Sequence, residues 1–299
     1  MHAICVQIDA RPGDVAGNAA RVHRALEPVT HADLVVLPEM CLAGYLYDSL
    51  EAIGPFLESP HGNDGPTLAL AREIATKYQA HVVAGFAQRA EDVQEPTRPP
   101  VDMRRQVDDP LAAPHRARVH GKAFNAAMLV APDGAPLKVF RKHFLYEGDT
   151  PWADEGPGFE YADTPLGRIC VAICMDMNRA SLLTAYCMFA PFDSFELASF
   201  CRDNKVDILV TTLAWLHPDT DKPDAVVSDM PSADMIWYWA IRLTPLHGHN
   251  ARTIICNRIG REKTTLFGGT STVLVHGERG VQVAGALGDG TEAALQVDC

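Results

Sequence analysis

Basic charge is in short supply in this chain: 26 Lys and Arg stand against 38 Asp and Glu, a formal net charge of -12 over 299 residues. Such a surface opposes a phosphate backbone and offers no basic stripe to an anionic membrane, so neither nucleic acid nor membrane is expected as a partner. No stretch approaches the roughly 18 consecutive apolar residues of a spanning helix. The opening MHAICVQIDA lacks a positive segment followed by an apolar one, which leads to the expectation of an intracellular, cytoplasmic protein. The eight cysteines include no CxxC pair and no zinc-ligand spacing, and a disulfide framework is not expected in a chain of this size without an export signal. A Gly/Ser linker, an internal repeat and a heptad run are all missing, so one domain over residues 1–299 is the simplest organisation.

What is present is an alternation of short apolar runs with helical patterns. Strand composition recurs at residues 3–8, 34–37, 81–86, 126–131, 169–173, 208–213, 253–256, 271–275 and 281–284. Residues 18–26 and 68–78 carry apolar side chains at helical spacing, and 194–204 and 232–243 are further helix candidates. Strands alternating with helices predict an α/β fold whose sheets are covered by helices. Residues 89–120 break the pattern, being rich in Pro, Arg, Asp and Gln, and read as a surface insertion between two strands. A second polar loop, residues 217–231, directly follows a strand candidate and is better placed to touch a substrate.

Three segments carry residues with chemical potential. LVVLPE ends an apolar strand in Pro and then Glu39, at a strand tip where sites on α/β scaffolds gather; alone, it also reads as a solvated loop carboxylate. VFRKHFL embeds Lys142 among large apolar side chains, where a cation needs a partner unless the segment is an exposed basic turn. GRICVAICMDMN runs a buried strand into a polar turn with Cys174 at the junction. A single strand cysteine is usually core, and Cys170 suits that role better. Glu, Lys and Cys are the residue types that amide attack by a thiol requires. The carboxylate takes the thiol proton and returns it to the leaving nitrogen, and the ammonium favours the anionic sulfur.

In their order, LPEMCLAGY, FRKHFLY and RICVAICMDMN resemble the three catalytic segments of the nitrilase superfamily of carbon–nitrogen hydrolases, and NRIGREKTTLFGGTSTVLV resembles its C-terminal signature. The resemblance runs from about residue 1 to 287 and implies an α-β-β-α sandwich, a Glu base at Glu39, a Lys at Lys142 and a Cys nucleophile at Cys174. It also implies a second catalytic Glu, carried over to Glu147, with Glu155 as the other candidate, and association of subunits through helices after the nucleophile. No cofactor and no metal are expected; His247-Gly248-His249 is the best local pair, without a third ligand at recognisable spacing.

Within the superfamily, GYLY after Glu39, FLYEGD, CMDMN, AWL at 214–216 and YWAIRLTPL at 238–246 are similar to the fungal protein N-terminal amidases. That likeness implies hydrolysis of the side-chain amide of an N-terminal Asn or Gln, with release of ammonia through a thioester. The chain departs from the subgroup at Arg179-Ala180, where Pro and an aromatic residue are its pattern. A substrate of this kind brings an α-ammonium that needs an acidic partner, for which Asp176 and Glu262 are available, while Trp215 and Tyr45 would wall the pocket. The alternative is another hydrolase of the superfamily acting on a small amide, a carbamoyl compound or a nitrile.

Overall fold

A computed structural model describes residues 1–60, 65–90, 123–178, 194–222 and 224–299. Its first sheet joins β1 (His2–Gln7), β2 (Leu34–Val36), β3 (His81–Arg89), β4 (Ala123–Val130) and β5 (Pro136–Arg141), with the C-terminal β14 (Ala293–Asp298) on the outer edge of β1. The second joins β6 (Tyr161–Thr164), β7 (Gly167–Ile173), β8 (Ile208–Leu213), β9 (Arg252–Asn257), β12 (Thr272–Gly277) and β13 (Gly280–Ala286) in the order β13-β12-β9-β8-β7-β6. A separate hairpin, β10 (Ile259–Glu262) with β11 (Thr265–Gly268), follows β9.

The strands at the centre of each sheet are parallel, β1-β2-β3 in one and β7-β8-β9 in the other. They are buried on both faces, which is why they read as continuous apolar runs rather than alternating ones. On β1 the parity is plain: Ile4 and Val6 pack with Val22, Leu26, Leu70 and Ile74 of the covering helices, whereas Ala3 and Cys5 join the core shared with the second sheet. Those helices are α1 (Val15–Leu26), started by the Asp14 side chain accepting from Gly17 N, and α3 (Pro66–Tyr78), with Pro at its first position and the left-handed Gln79 at its end. A short α2 (Leu50–Ile53) lies between them in sequence. On the second sheet, α4 (Glu196–Asp203) and α5 (Ala233–Arg242) contribute Leu197, Phe200, Met235 and Trp239 to the core around β7, β8 and β9.

This is the α-β-β-α sandwich expected from the sequence. The Cys256 thiol on β9 donates to Val6 O (3.4 Å) and Val36 O (3.2 Å), so the two sheets touch directly at their centre. Of the expected insertion at 89–120, Arg89 closes β3 and residues 91–120 lie outside the described residues, as do Arg179 and Ala180. Among the described residues no helix is long and apolar enough to cross a membrane.

Candidate active site

Four segments end at one place. Glu39 stands three residues beyond β2, Lys142 directly after β5, Cys174 directly after β7 and Ala214 directly after β8, so the tips of both sheets meet here. The segment bearing Glu39 is held along β3 by Leu37 N to Val83 O (2.8 Å) and Cys41 N to Gly85 O (3.2 Å). Gly85 permits that approach: a Cβ there would lie 2.6 Å from Pro38 O and 2.7 Å from Glu39 Cα.

Glu39, Lys142 and Asp149 are fully buried and form one ionic cluster. Lys142 Nζ lies 2.7 Å from Glu39 Oε1 and 2.7 Å from Asp149 Oδ2, and 3.3 Å from the Tyr45 hydroxyl. Asn125 Nδ2 donates to Glu39 Oε1 (2.7 Å) and to Asp149 Oδ1 (2.9 Å), and Ala214 N donates to Glu39 Oε2 (2.7 Å). One cation faces two carboxylates, so the cluster retains an excess of negative charge if both are ionised. Burial raises the Glu39 carboxyl above its ordinary range, and the nearby Asp149 adds to this against the lowering effect of Lys142. Burial would lower the Lys142 ammonium, but Asp149 and Glu39 outweigh it and keep the group protonated above its ordinary range.

Cys174 lies within electrostatic reach of this cluster and has a positive φ of 45°, the left-handed conformation that a residue other than glycine adopts at a cost of about 1–3 kcal/mol. It opens a tight 3-10 turn, Cys174–Met177, that swings the chain sharply off β7. Burial, then the Glu39 charge, push its thiol well above the ordinary range, while Lys142 and the Ala214 N–H pull the other way. Burial thus favours the neutral thiol beside the Glu39 carboxyl group, an arrangement suited to proton transfer on attack.

Comparison with known proteins decides the lineage. Residues 3–187 match the family profile of the carbon–nitrogen hydrolases. The chain belongs to the carbon–nitrogen hydrolase family. It is 31% identical over 291 residues to the protein N-terminal amidase of Schizosaccharomyces pombe, covering 90% of this chain and 89% of that protein. To the protein N-terminal amidase of Saccharomyces cerevisiae it is 26% identical over 249 residues, 74% of this chain and 47% of that protein. A crystal structure of an N-terminal amidase with an Asn-Glu-Ala peptide superposes with a TM-score of 0.78 at 18% identity, covering 99% of this chain and 96% of the other, a likeness of fold.

Several residues of this carbon–nitrogen hydrolase stand elsewhere than the sequence led one to expect. Glu147 does not join the cluster: it is exposed, its Oε1 accepts from the Tyr146 hydroxyl (3.1 Å), and Asp149, two residues on, faces Lys142 instead. Asp149 is turned inward because it closes its own turn, accepting from Tyr146 N (2.9 Å). Glu155 is not among the groups bonded to Lys142 either. Asp176 is no partner for a substrate ammonium, since its Oδ1 accepts from His143 N and Phe144 N (2.8 Å each) and its Oδ2 from Ile173 N (2.9 Å). Glu262 is likewise structural, pairing with Arg258 and accepting from Tyr45 N (3.0 Å) and Leu46 N (2.8 Å). Tyr45 lies behind Lys142, its ring centre 5.4 Å from Nζ, and backs the ionic cluster. Trp215 is half-buried, its N–H bonded to Asn257 Oδ1 (2.8 Å) and its ring against Tyr238 and Trp239.

Asp149 and Asn125 are the residues that sequence reasoning missed. For Asp149 the signal is present in FLYEGD, two positions after the Glu147 to which the resemblance carries the second catalytic Glu. For Asn125 it is the single polar residue in the buried strand AFNAAMLV. The loop at 217–231 begins with a buried His217, which lies 3.3 Å from Asp289, and His247 stacks on His276 rather than pairing with His249.

Proposed function

We propose that this carbon–nitrogen hydrolase removes the side-chain amide of an N-terminal Asn or Gln, with Glu39, Lys142 and Cys174 as its reacting groups. The observation that carries the reading is 31% identity over nearly the full length to a protein N-terminal amidase, in a chain whose Glu39–Lys142–Asp149 cluster lies within electrostatic reach of Cys174. In the cycle, Glu39 takes the thiol proton as Cys174 Sγ bonds to the amide carbon. The Lys142 charge and the Met175 N–H stabilise the oxyanion that forms. Because its hydrogens are directed at Glu39, Asp149 and Tyr45, Lys142 acts chiefly through its field. Glu39 then passes the proton to the departing nitrogen, the C–N bond breaks and ammonia leaves. Water, losing its proton to Glu39, adds to the thioester, and breakage of the C–S bond releases the free acid and restores the thiol.

With Asp176 and Glu262 engaged in the scaffold, Glu147 is the carboxylate we assign to the substrate's α-ammonium. It lines a cleft of about 350 Å³ with Leu46, Asp48, Gly148 and Lys263, and its hydrogen-bond partner Tyr146 lies within electrostatic reach of Cys174. Glu147→Gln then raises KM for peptides several-fold with little change in kcat. The reading further includes a cytoplasmic setting and self-association through α4 and α5, which light scattering checks.

The test is ammonia release from short peptides beginning with Asn or Gln, against acetyl-Asn and internal-Asn controls, in wild type and Cys174→Ala. Release from the free N-terminal residues alone, absent in the variant, supports the assignment. Turnover of small amides, carbamoyl compounds or nitriles, and of no peptide, overturns it in favour of a small-molecule hydrolase with the same chemistry.

A further inference from the structure

Asn125 touches every member of the ionic cluster. Its main-chain oxygen accepts from Lys142 N (2.8 Å), while its side-chain amide reaches Glu39 on one side and Asp149 on the other. The side chain is buried, and its neighbours on the same face of β4, Ala123 and Ala127, are apolar and buried too, so nothing in the strand's packing calls for an amide there. The orientation is fixed by the partners. Were oxygen and nitrogen exchanged, Oδ1 would face two carboxylate oxygens at under 3 Å, a repulsion with no donor to relieve it. In the orientation present, both amide hydrogens point at carboxylate oxygens, and Oδ1 has no partner among the described residues. A buried acceptor left unpaired is costly, and the two charge-assisted bonds on the other end of the same group offset that cost.

We propose that Asn125 is a positioning residue that keeps Glu39 a carboxylate and holds it apart from Asp149. The inference rests on the reading of Glu39 as the general base. Each carboxylate receives one bond from Lys142 and one from Asn125, and Glu39 also receives the Ala214 N–H. Every one of these donors favours the ionised acid, against the burial that favours the protonated one. Lys142 alone cannot separate the two acids, because a single ammonium can be approached from many directions. The planar amide, with two hydrogens at a fixed angle, sets the spacing.

The experiment is the pH profile of kcat/KM for wild type, Asn125→Leu and Asn125→Ser. Leu shares the branching and the number of side-chain heavy atoms of Asn and brings no polar atom of its own, and Ser retains one donor. The expected result for Asn125→Leu is an acidic limb moved upward by about one pH unit, the effect of losing one charge-assisted bond, with the alkaline plateau less affected. Asn125→Ser moves it in the same direction by less, and decides the matter if the Leu variant does not fold. An acidic limb that stays in place, whether or not the plateau drops, overturns the proposal and leaves Asn125 a packing residue. Infrared titration of the Glu39 carboxyl band, assigned by its loss in Glu39→Gln, reads the same shift without any substrate. A result there separates failure of this inference from failure of the substrate assignment.

Discussion

Gly85 offers the sharpest test of how Glu39 is held. Replacing it with Ala puts a methyl carbon 2.6 Å from Pro38 O, 2.7 Å from Glu39 Cα and 2.8 Å from Met40 N. All three are main-chain atoms, and the segment is pinned on either side by the bonds to Val83 and Gly85, so relief requires the strand and the Glu39 loop to part by several tenths of an ångström. Forcing a methyl into such a site costs about 1–3 kcal/mol. A displacement approaching 1 Å in a reacting group lowers rate by about 10²-fold, so the smaller shift here predicts a loss of roughly tenfold to a hundredfold in kcat/KM. The assays are ammonia release and thermal unfolding, with Gly54→Ala as a control because nothing lies within 4 Å of its Cβ position. Activity of Gly85→Ala within twofold of wild type, at an unchanged melting temperature, would refute the argument that this contact places Glu39.

Lys142→Met removes the cation between two buried carboxylates and should cost about 3–5 kcal/mol in chemical denaturation. Because protonating Glu39 relieves the unpaired charge, that loss should be greatest at alkaline pH and shrink on acidification; a pH-independent deficit would contradict the ion-pair account. The Cys174 thiol is held well above the ordinary thiol range, so iodoacetamide should label it slowly at neutral pH and faster only in strong alkali. Rapid labelling at pH 7, lost in Cys174→Ala, would point to a resting thiolate instead. Asp176→Asn turns a donor toward one of the backbone N–H groups it now accepts from, predicting about 1–3 kcal/mol of destabilisation and a fall in kcat. Full stability in the variant would rule out the bracing role.

The sequence made the central strands legible for a physical reason: burial on both faces writes them as apolar runs. Several peripheral strands do not share that signature. β14 is half-exposed and acquires its identity by pairing with β1 across the whole chain, His2 opposite Asp298, and β6 and β10 are four-residue strands with polar side chains. Glu39, Lys142 and Cys174 could be picked out because each interrupts an apolar strand end. Choosing among acids was harder, since the difference between Asp149 and Glu147 is which of two neighbours a turn directs inward. Asp176 and Glu262 show the same limit from the other side, their carboxylates being engaged by backbone N–H groups whose directions appear only in three dimensions.

The Asp176 carboxylate has a dynamic consequence. By gripping His143 and Phe144 on one sheet's trailing chain and Ile173 on the other's, it should make the amides beside Lys142 and the one before Cys174 report a single opening event in hydrogen exchange. Lys142 and Cys174 are then expected to loosen together, and protection lost at one of these amides while the others keep theirs would show that the two segments open separately.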